Sequence, residues 1–317
     1  MSTKAKVLVI TGPTASGKSE LAEGLASKFP LELVCVDSAA VYRGMDIGTA
    51  KPTLTTRQQI PYHLIDIRDP AETYSAAEFR HDATQIISDV IAKDRIPCLV
   101  GGTMLYLKAL KQGIADLPSA DPVVREKILQ QANAHGWSTM HKRLADLDPK
   151  AALRIHTNDP QRLQRALEVY EITGRTLTEH HEAGALECPF DLVEVAVMPH
   201  RDLLHGRITE RFHDMLDEGF VEEVRALFER GDLNSELPSM KAVGYRQIWS
   251  YLLNELSYEE MVERAIVATR RLAKHQYTWL NSWEGLHVMA RPESTEILKI
   301  PRVNTILMEG DQPRAHQ

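Results

Sequence analysis

The chain has 317 residues, enough for about two domains and a sizeable core. At 43% apolar and 26% charged it is an ordinary globular composition, with no apolar run near the ~18 residues that a membrane helix needs. A net charge of −7 argues against indiscriminate nucleic-acid binding, and three scattered cysteines, Cys35, Cys98 and Cys188, point to no disulfide framework and no zinc site, as expected of a cytoplasmic protein. Residues 5–11 read as a buried strand, too short for the apolar stretch of a signal peptide, and 17–29 as the crossover helix that follows it. Between them lies Gly12-Pro13-Thr14-Ala15-Ser16-Gly17-Lys18-Ser19, which fits the phosphate-cradling loop in full. Its glycines let backbone N–H groups turn inward, and the helix behind it points its positive end at the same place. Lys18 adds a full charge and Ser19 offers a hydroxyl to Mg²⁺. The loop predicts a polyphosphate or diphosphate site without saying which compound occupies it.

Leu31 to Val36 is a second apolar run, ending at Asp37-Ser38, and a turn-rich stretch follows over 44–52. His63 to Ile67 reads as a short strand, Ser75 to Lys93 as a helix, and Ile96 to Val100 as a strand ending at Gly101-Gly102-Thr103, with a helix from Met104. Strands alternating with helices predict a doubly wound parallel sheet, and ligands bind such sheets at the carboxyl ends of the strands. Asp37 and Thr103 therefore fall on the same edge as Lys18. Asp37 suits a Mg²⁺ ligand, a general base or a helix cap. Thr103 suits the N-cap of the next helix, close approach by a ligand, or both.

From Asp121 to about Gly184 the pattern is helical throughout, with Asp121-Pro122 and Asp159-Pro160 as N-cap and first-turn proline. The expected domains are an α/β core over 1–118, a helical insertion over 119–186, a return to the core over 187–291 and a poorly ordered tail over 292–317. The strand at 192–198 is followed by helices over about 201–230, 241–254 and 258–281, then a last strand over 285–289. Charge is segregated: residues 125–181 carry nine Lys/Arg against seven Asp/Glu, or +2, and the remainder 28 against 37, or −9. On the helix over 262–281, Val262, Ile266, Thr269, Ala273 and Leu280 share one face. Arg270, Arg271, Lys274, His275 and Thr278 crowd the other, which favours a polyanion-facing surface. Lys241, Tyr245 and Arg246 add cations and an aromatic, as suits splayed-out RNA bases. Gln161 and Arg165 share one side of their helix, opposite the stripe Leu163, Ala166, Leu167 and Tyr170. Arg207 and Arg211, one turn apart, suit either a phosphate lid or a solvated face.

In their order these motifs strongly resemble the bacterial tRNA dimethylallyltransferases. The resemblance runs through the phosphate loop, Asp37-Ser38-Ala39-Ala40-Val41-Tyr42, Met45 to Pro52, Leu99 to Tyr106, Asn158 to Arg162, Val243 to Gln247 and Lys274 to Leu280. It covers about residues 5–290. It implies a P-loop NTPase-like α/β fold with an all-helical insertion domain. It also implies Mg²⁺-dependent transfer of a dimethylallyl group from its diphosphate to the N6 amine of the adenosine 3′ of the anticodon, in tRNAs reading codons that begin with U. The resemblance implies Gly12, Pro13, Thr14, Ala15, Ser16, Gly17, Lys18 and Ser19 as the diphosphate cradle, with Ser19 toward Mg²⁺, and the lid reading adds Arg211 as an expected phosphate contact. Asp37 is implied as the base, with Lys18 and Thr103 beside it in the catalytic set. The implied tRNA contacts are Asp37, Ser38, Ala39, Ala40, Thr103 and Arg125, then Gln161, Arg162, Leu163, Gln164 and Arg165. They continue through Lys241, Ala242, Val243, Gly244, Tyr245 and Arg246, and through Lys274, His275, Gln276, Tyr277, Thr278, Trp279, Leu280 and Asn281. Ser19 stands where many relatives have Thr, which keeps the hydroxyl, and the zinc-finger extension of eukaryotic relatives is absent. The expected partners are tRNA and dimethylallyl diphosphate, with no membrane, and the expected state is a monomer. The rival readings are a small-molecule kinase using the loop for ATP, an adenylate isopentenyltransferase, and a non-catalytic RNA switch.

Overall fold

Four largely apolar runs set the architecture, because a strand apolar on both faces is stable only inside a parallel sheet covered by helices on both sides. The computed structural model describes residues 4–113, 115, 117, 118, 120–183 and 187–310. Its strands are β1 (Lys6–Thr11), β2 (Leu31–Val36), β3 (Tyr62–His63), β4 (Ile96–Gly101), β5 (Asp191–Val197) and β6 (His287–Met289). They form one six-stranded sheet in the order β3-β2-β4-β1-β5-β6, parallel at every pairing. Thr11 stands opposite Gly101, and Gly101 opposite Val36, so β1, β4 and β2 end level on one edge. This is the doubly wound α/β sheet of the P-loop type that the sequence predicts. Two acids are buried in it, and both are partnered: Glu32 by His63 and Arg95, and Glu194 by the Trp283 indole at 3.0 Å.

The chain divides into two compact units, Met1–Lys108 with Pro189–Gln317, and Ala109–Cys188. The second unit begins at Ala109, ahead of the 119 boundary read from the sequence. Its core is Ile128, Met140, Leu144, Leu163, Ala166 and Leu167, drawn from successive helices. Asp121 and Asp159 cap their helices as their position before proline predicts, accepting from Val123 and from Arg162.

Three elements differ from the expectation. β3 stops at His63 because Leu64 and Asp66 turn into left-handed backbone at φ 62° and 58°. Asp66 there accepts from Lys51 and Arg57. The helix expected over 201–230 is two, Arg201–Asp217 and Phe220–Phe228, broken where Gly219 takes φ 98°. Up to residue 310 the tail is ordered: helices Ser294–Ile297 and Pro301–Gly310 put Ile297, Val303, Ile306 and Leu307 into the same apolar cluster as Leu8, Ile10 and Val195. Residues 311–317 lie outside the described ones. A fully buried leucine in a tail helix makes a direct test. Leu307→Ala should cost about 3 kcal/mol in urea unfolding; a loss under about 1 kcal/mol would mean that the tail docks loosely.

Candidate active site

The phosphate loop leaves β1 and enters the helix Lys18–Ala26 through Gly17, whose cap position carries no side-chain hydrogen bond, so the first-turn amides stay open. Ala15 within it takes φ 61°, a left-handed conformation costing a non-glycine residue roughly 1 kcal/mol. Ser16 is fully buried, and its Oγ has no partner among the described residues. An open helix N-terminus with a strained loop and an orphaned buried hydroxyl is a cradle for an anion.

Two cations share this place. Lys18 donates to the Pro13 carbonyl at 3.2 Å, and Arg211, from helix Arg201–Asp217, donates to Thr14 Oγ1 at 2.7 Å. Burial first and the Arg211 charge second push the Lys18 ammonium down to about 8. Burial likewise lowers Arg211, partly offset by Asp37. Arg207, one turn before Arg211, does not line the cavity, so only Arg211 does what the lid reading asked of the pair. Next to them the Cys35 thiol is pushed up to about 12, by burial and then by Asp37, so it stays protonated and is no nucleophile.

Asp37 and Thr103 stand on the same edge. Asp37 Oδ1 accepts from the amides of Ala39 at 2.8 Å and Ala40 at 3.3 Å, which leaves Oδ2 without a partner among the described residues. Cap and chemistry are thus divided between its two oxygens. Thr103 Oγ1 does not cap its own helix. It accepts from the Ser38 amide at 3.1 Å and ties the end of β4 to the end of β2. Gln276 completes the frame: Oε1 accepts from the Thr14 amide and Nε2 donates to the Gly102 carbonyl, each at 2.9 Å. A Cβ on Gly102 would lie 2.5 Å from Gln276 Nε2, so any larger residue there would push Gln276 off its bond to the Gly102 carbonyl.

Thr14, Asp37, Thr103, Gln276 and Arg211 line a cavity of about 490 Å³, whereas Lys18 is not among its lining residues. Thr14, Asp37, Ser38, Ala39, Thr103 and Arg211 form its polar wall, and Ile208, Phe212, Met215, Phe220 and Tyr245 an apolar one. Lys241, Ala242, Val243 and Gly244 also line it, with His275, Gln276 and Trp279.

The IPP transferase family model matches residues 40–283. The chain belongs to the IPP transferase family. Among solved structures, this transferase resembles a tRNA isopentenylpyrophosphate transferase of Bacillus halodurans at 34% identity over 97% of each chain, TM-score 0.69. A tRNA isopentenylpyrophosphate transferase of Staphylococcus epidermidis is 31% identical over 96% of this chain and 99% of its own, TM-score 0.66. A eukaryotic dimethylallyltransferase acting on tRNA is 28% identical over 95% of this chain and 77% of its own, TM-score 0.78.

Several residues expected to meet tRNA have other work in this IPP transferase. Leu163 and Leu280 are packed into their units' cores, so their side chains offer nothing to a partner. Ala40 and Tyr245 are likewise buried, and the Tyr245 hydroxyl donates to Glu223 at 2.5 Å. Arg125 and Arg165 both grip the fully buried Glu168, and Gln164 donates to the Arg125 carbonyl. Gln161 and Arg162 are exposed, with Arg162 beside Asp159. On the helix Tyr258–Asn281 the buried face is Met261, Ala265, Ala273, Gln276, Tyr277 and Leu280, rotated from the Val262–Ile266 face that the sequence suggests. Tyr277 donates to the Pro199 carbonyl, while Lys274, His275, Thr278 and Asn281 are exposed, as is Arg246. Ser19 is exposed at the end of the loop.

Glu223 carries no signal in the sequence. Its carboxylate accepts from the amides of Asp46 and Ile47, each at 2.7 Å, and of Gly48 at 3.2 Å, and holds the turn-rich stretch against the cavity. Gln276 makes a sharper test of the frame. Gln276→Leu leaves the Gly102 carbonyl and the Thr14 amide without their partner, and should weaken diphosphate-ester binding about 10-fold while costing about 2 kcal/mol of stability. Calorimetric titration together with urea unfolding measures both; reduced stability with binding intact would make Gln276 a packing residue only.

Proposed function

We propose that this IPP transferase moves a dimethylallyl group from dimethylallyl diphosphate to the N6 amine of the adenosine 3′ of the anticodon, in tRNAs reading codons that begin with U. The observation that carries this reading is one cavity wall bearing Arg211, Thr14 and Asp37 Oδ2 together, with an apolar wall beside them. The tRNA-acting structural neighbours support RNA as the acceptor. A kinase would have no use for the helical insertion or for the exposed cations Arg271 and Lys274 on one helix face. A free-nucleotide acceptor would leave Lys274, His275 and Arg246 without a partner.

As the allylic C–O bond breaks, negative charge grows on the leaving diphosphate. The loop amides stand open to that charge, and Lys18 and Arg211, which donate to the Pro13 carbonyl and Thr14 Oγ1 in the free protein, would turn to the diphosphate oxygens and stabilise it. The exocyclic amine is a weak nucleophile, and Asp37 Oδ2 takes its proton during attack. Thr103 holds the Ser38 amide, and with it the turn that carries Asp37. The adenine leaves the anticodon-loop stack to reach the cavity, as a flipped base. For Mg²⁺ the described residues offer no group of three or more His, Cys, Asp or Glu side chains. Ser19, exposed at the end of the loop, would offer its hydroxyl to an ion bound beside the diphosphate. When bound, it would neutralise diphosphate charge.

The RNA is held by Lys241 and Arg246, by exposed Lys274, His275 and Thr278, and by Trp279, over whose ring Lys108 sits at 5.6 Å. The helical unit contributes exposed Gln161 and Arg162. The enzyme acts as a cytoplasmic monomer; no helix of the described residues is long and apolar enough to cross a membrane.

Incubation with unmodified tRNA, labelled dimethylallyl diphosphate and Mg²⁺, followed by nuclease digestion, should yield labelled N6-prenyladenosine at a single position. No label in RNA, with ATP turned over on a small acceptor, would restore the kinase reading. Asp37→Asn should lower kcat by ~10²–10⁴ and leave the tRNA Kd within a few-fold; equal losses in both would make Asp37 a binding residue. Charge removal at Arg271 and Lys274 should flatten the log–log salt dependence of tRNA binding by ~0.7 for each single-strand phosphate left unneutralised. An unchanged slope would return that face to plain solvation.

A further inference from the structure

One tightly packed ring stands in the apolar wall of the cavity. Helix Arg201–Asp217 presents Arg211 and Met215 one turn apart, with Phe212 between them, and all three line the cavity. The cation that meets the phosphate site and the apolar wall that continues from it thus belong to one face of one helix. Beyond them stands Phe220, only 1% exposed, edge-on to Phe212 with ring centroids 6.3 Å apart and to Tyr245 at 4.9 Å.

This ring is closely hemmed in. A Cβ on Gly48 would lie 2.1 Å from it and one on Gly244 2.8 Å, so two glycine backbones close directly against its edge. Both neighbours are fixed in turn. Glu223 accepts from the Gly48 amide at 3.2 Å and from the Tyr245 hydroxyl at 2.5 Å, so one carboxylate locks the backbone on one side of the ring and the phenol on the other. A site floored by a locked aromatic ring excludes longer apolar chains, whereas a mobile side chain would make way for them.

We propose that Phe220 limits the transferred chain to one isoprene unit, with Gly48 and Glu223 as positioning residues that hold the floor in place. This rests on the prenyl-diphosphate reading of the cavity and goes beyond it by naming what sets donor length. Removing the phenyl group opens a space close to that of one further isoprene unit.

The test compares dimethylallyl with geranyl diphosphate in two readouts: Kd by calorimetry without RNA, and kcat/KM with tRNA. In Phe220→Ala the geranyl-over-dimethylallyl ratio should rise roughly 10–200-fold in both, the range for added methylenes in an apolar pocket. Phe220→Leu, the milder change, should move the ratio the same way by less. A ratio unchanged in folded Phe220→Ala and Phe220→Leu would overturn the proposal. So would a rise in KM for tRNA alone, which would put the adenine on this ring. Because the Kd ratio needs no RNA, a protein that bound prenyl diphosphates with the expected ratios and modified no tRNA would uphold the floor and refute the acceptor.

Discussion

The site depends on two half-buried cations brought together with little to neutralise them. Lys18 and Arg211 both lose charge stability to burial, Arg211 lowers Lys18 further, and Asp37 is the acid that offsets both. Such an arrangement is unfavourable in the free protein and becomes favourable when a polyanion arrives, so its electrostatic cost is met before the reaction begins. The same feature separates the proposed chemistry from simple phosphate binding. A leaving diphosphate gains charge along the reaction path, and cations already desolvated respond to that gain more strongly than cations in water.

Keeping such charges in place requires a stiff surround. Gln276 links the loop to the end of β4, Thr103 links β4 to the turn after β2, and Glu223 clamps the stretch from Asp46 to Gly48. These bonds join segments far apart in sequence, so the cavity is a product of the tertiary fold. They also divide Asp37 between two tasks, with Oδ1 in the turn and Oδ2 free, which orients the carboxylate without using up its basic oxygen. Phe220 carries the same stiffness into the apolar half of the cavity.

The sheet and its functional edge are legible in the sequence because apolar runs end at sharp signals: the phosphate loop after β1, Asp37-Ser38 after β2, Gly101-Gly102 after β4. The tail is not, because its polar composition masks Val303, Ile306 and Leu307 at helical spacing. Periodicity rotates the inward face of the long helix, since a buried Gln276 makes sense only once its partners on the loop and on β4 are known. Arg125 and Arg165 read as free cations because Glu168, their shared acid, lies in the interior of the helical unit. Glu223 resembles any solvated acid on an amphipathic helix. Its partners are backbone amides 175 to 177 residues earlier, a separation that no local pattern records.

The most direct measurement is the proton balance of diphosphate-ester binding. Lys18 is lowered to about 8 in the free protein, so it is largely neutral above that pH. A bound polyanion raises it again, so binding must take up a proton, and affinity must fall as pH rises through that value. Calorimetric titration with dimethylallyl diphosphate near pH ~8.5, in buffers of different ionisation enthalpy, should show uptake of more than about half a proton, abolished in Lys18→Met. No uptake in the unmodified protein, or the same uptake in Lys18→Met, would contradict the claim that this loop holds a desolvated charge ready for a leaving diphosphate.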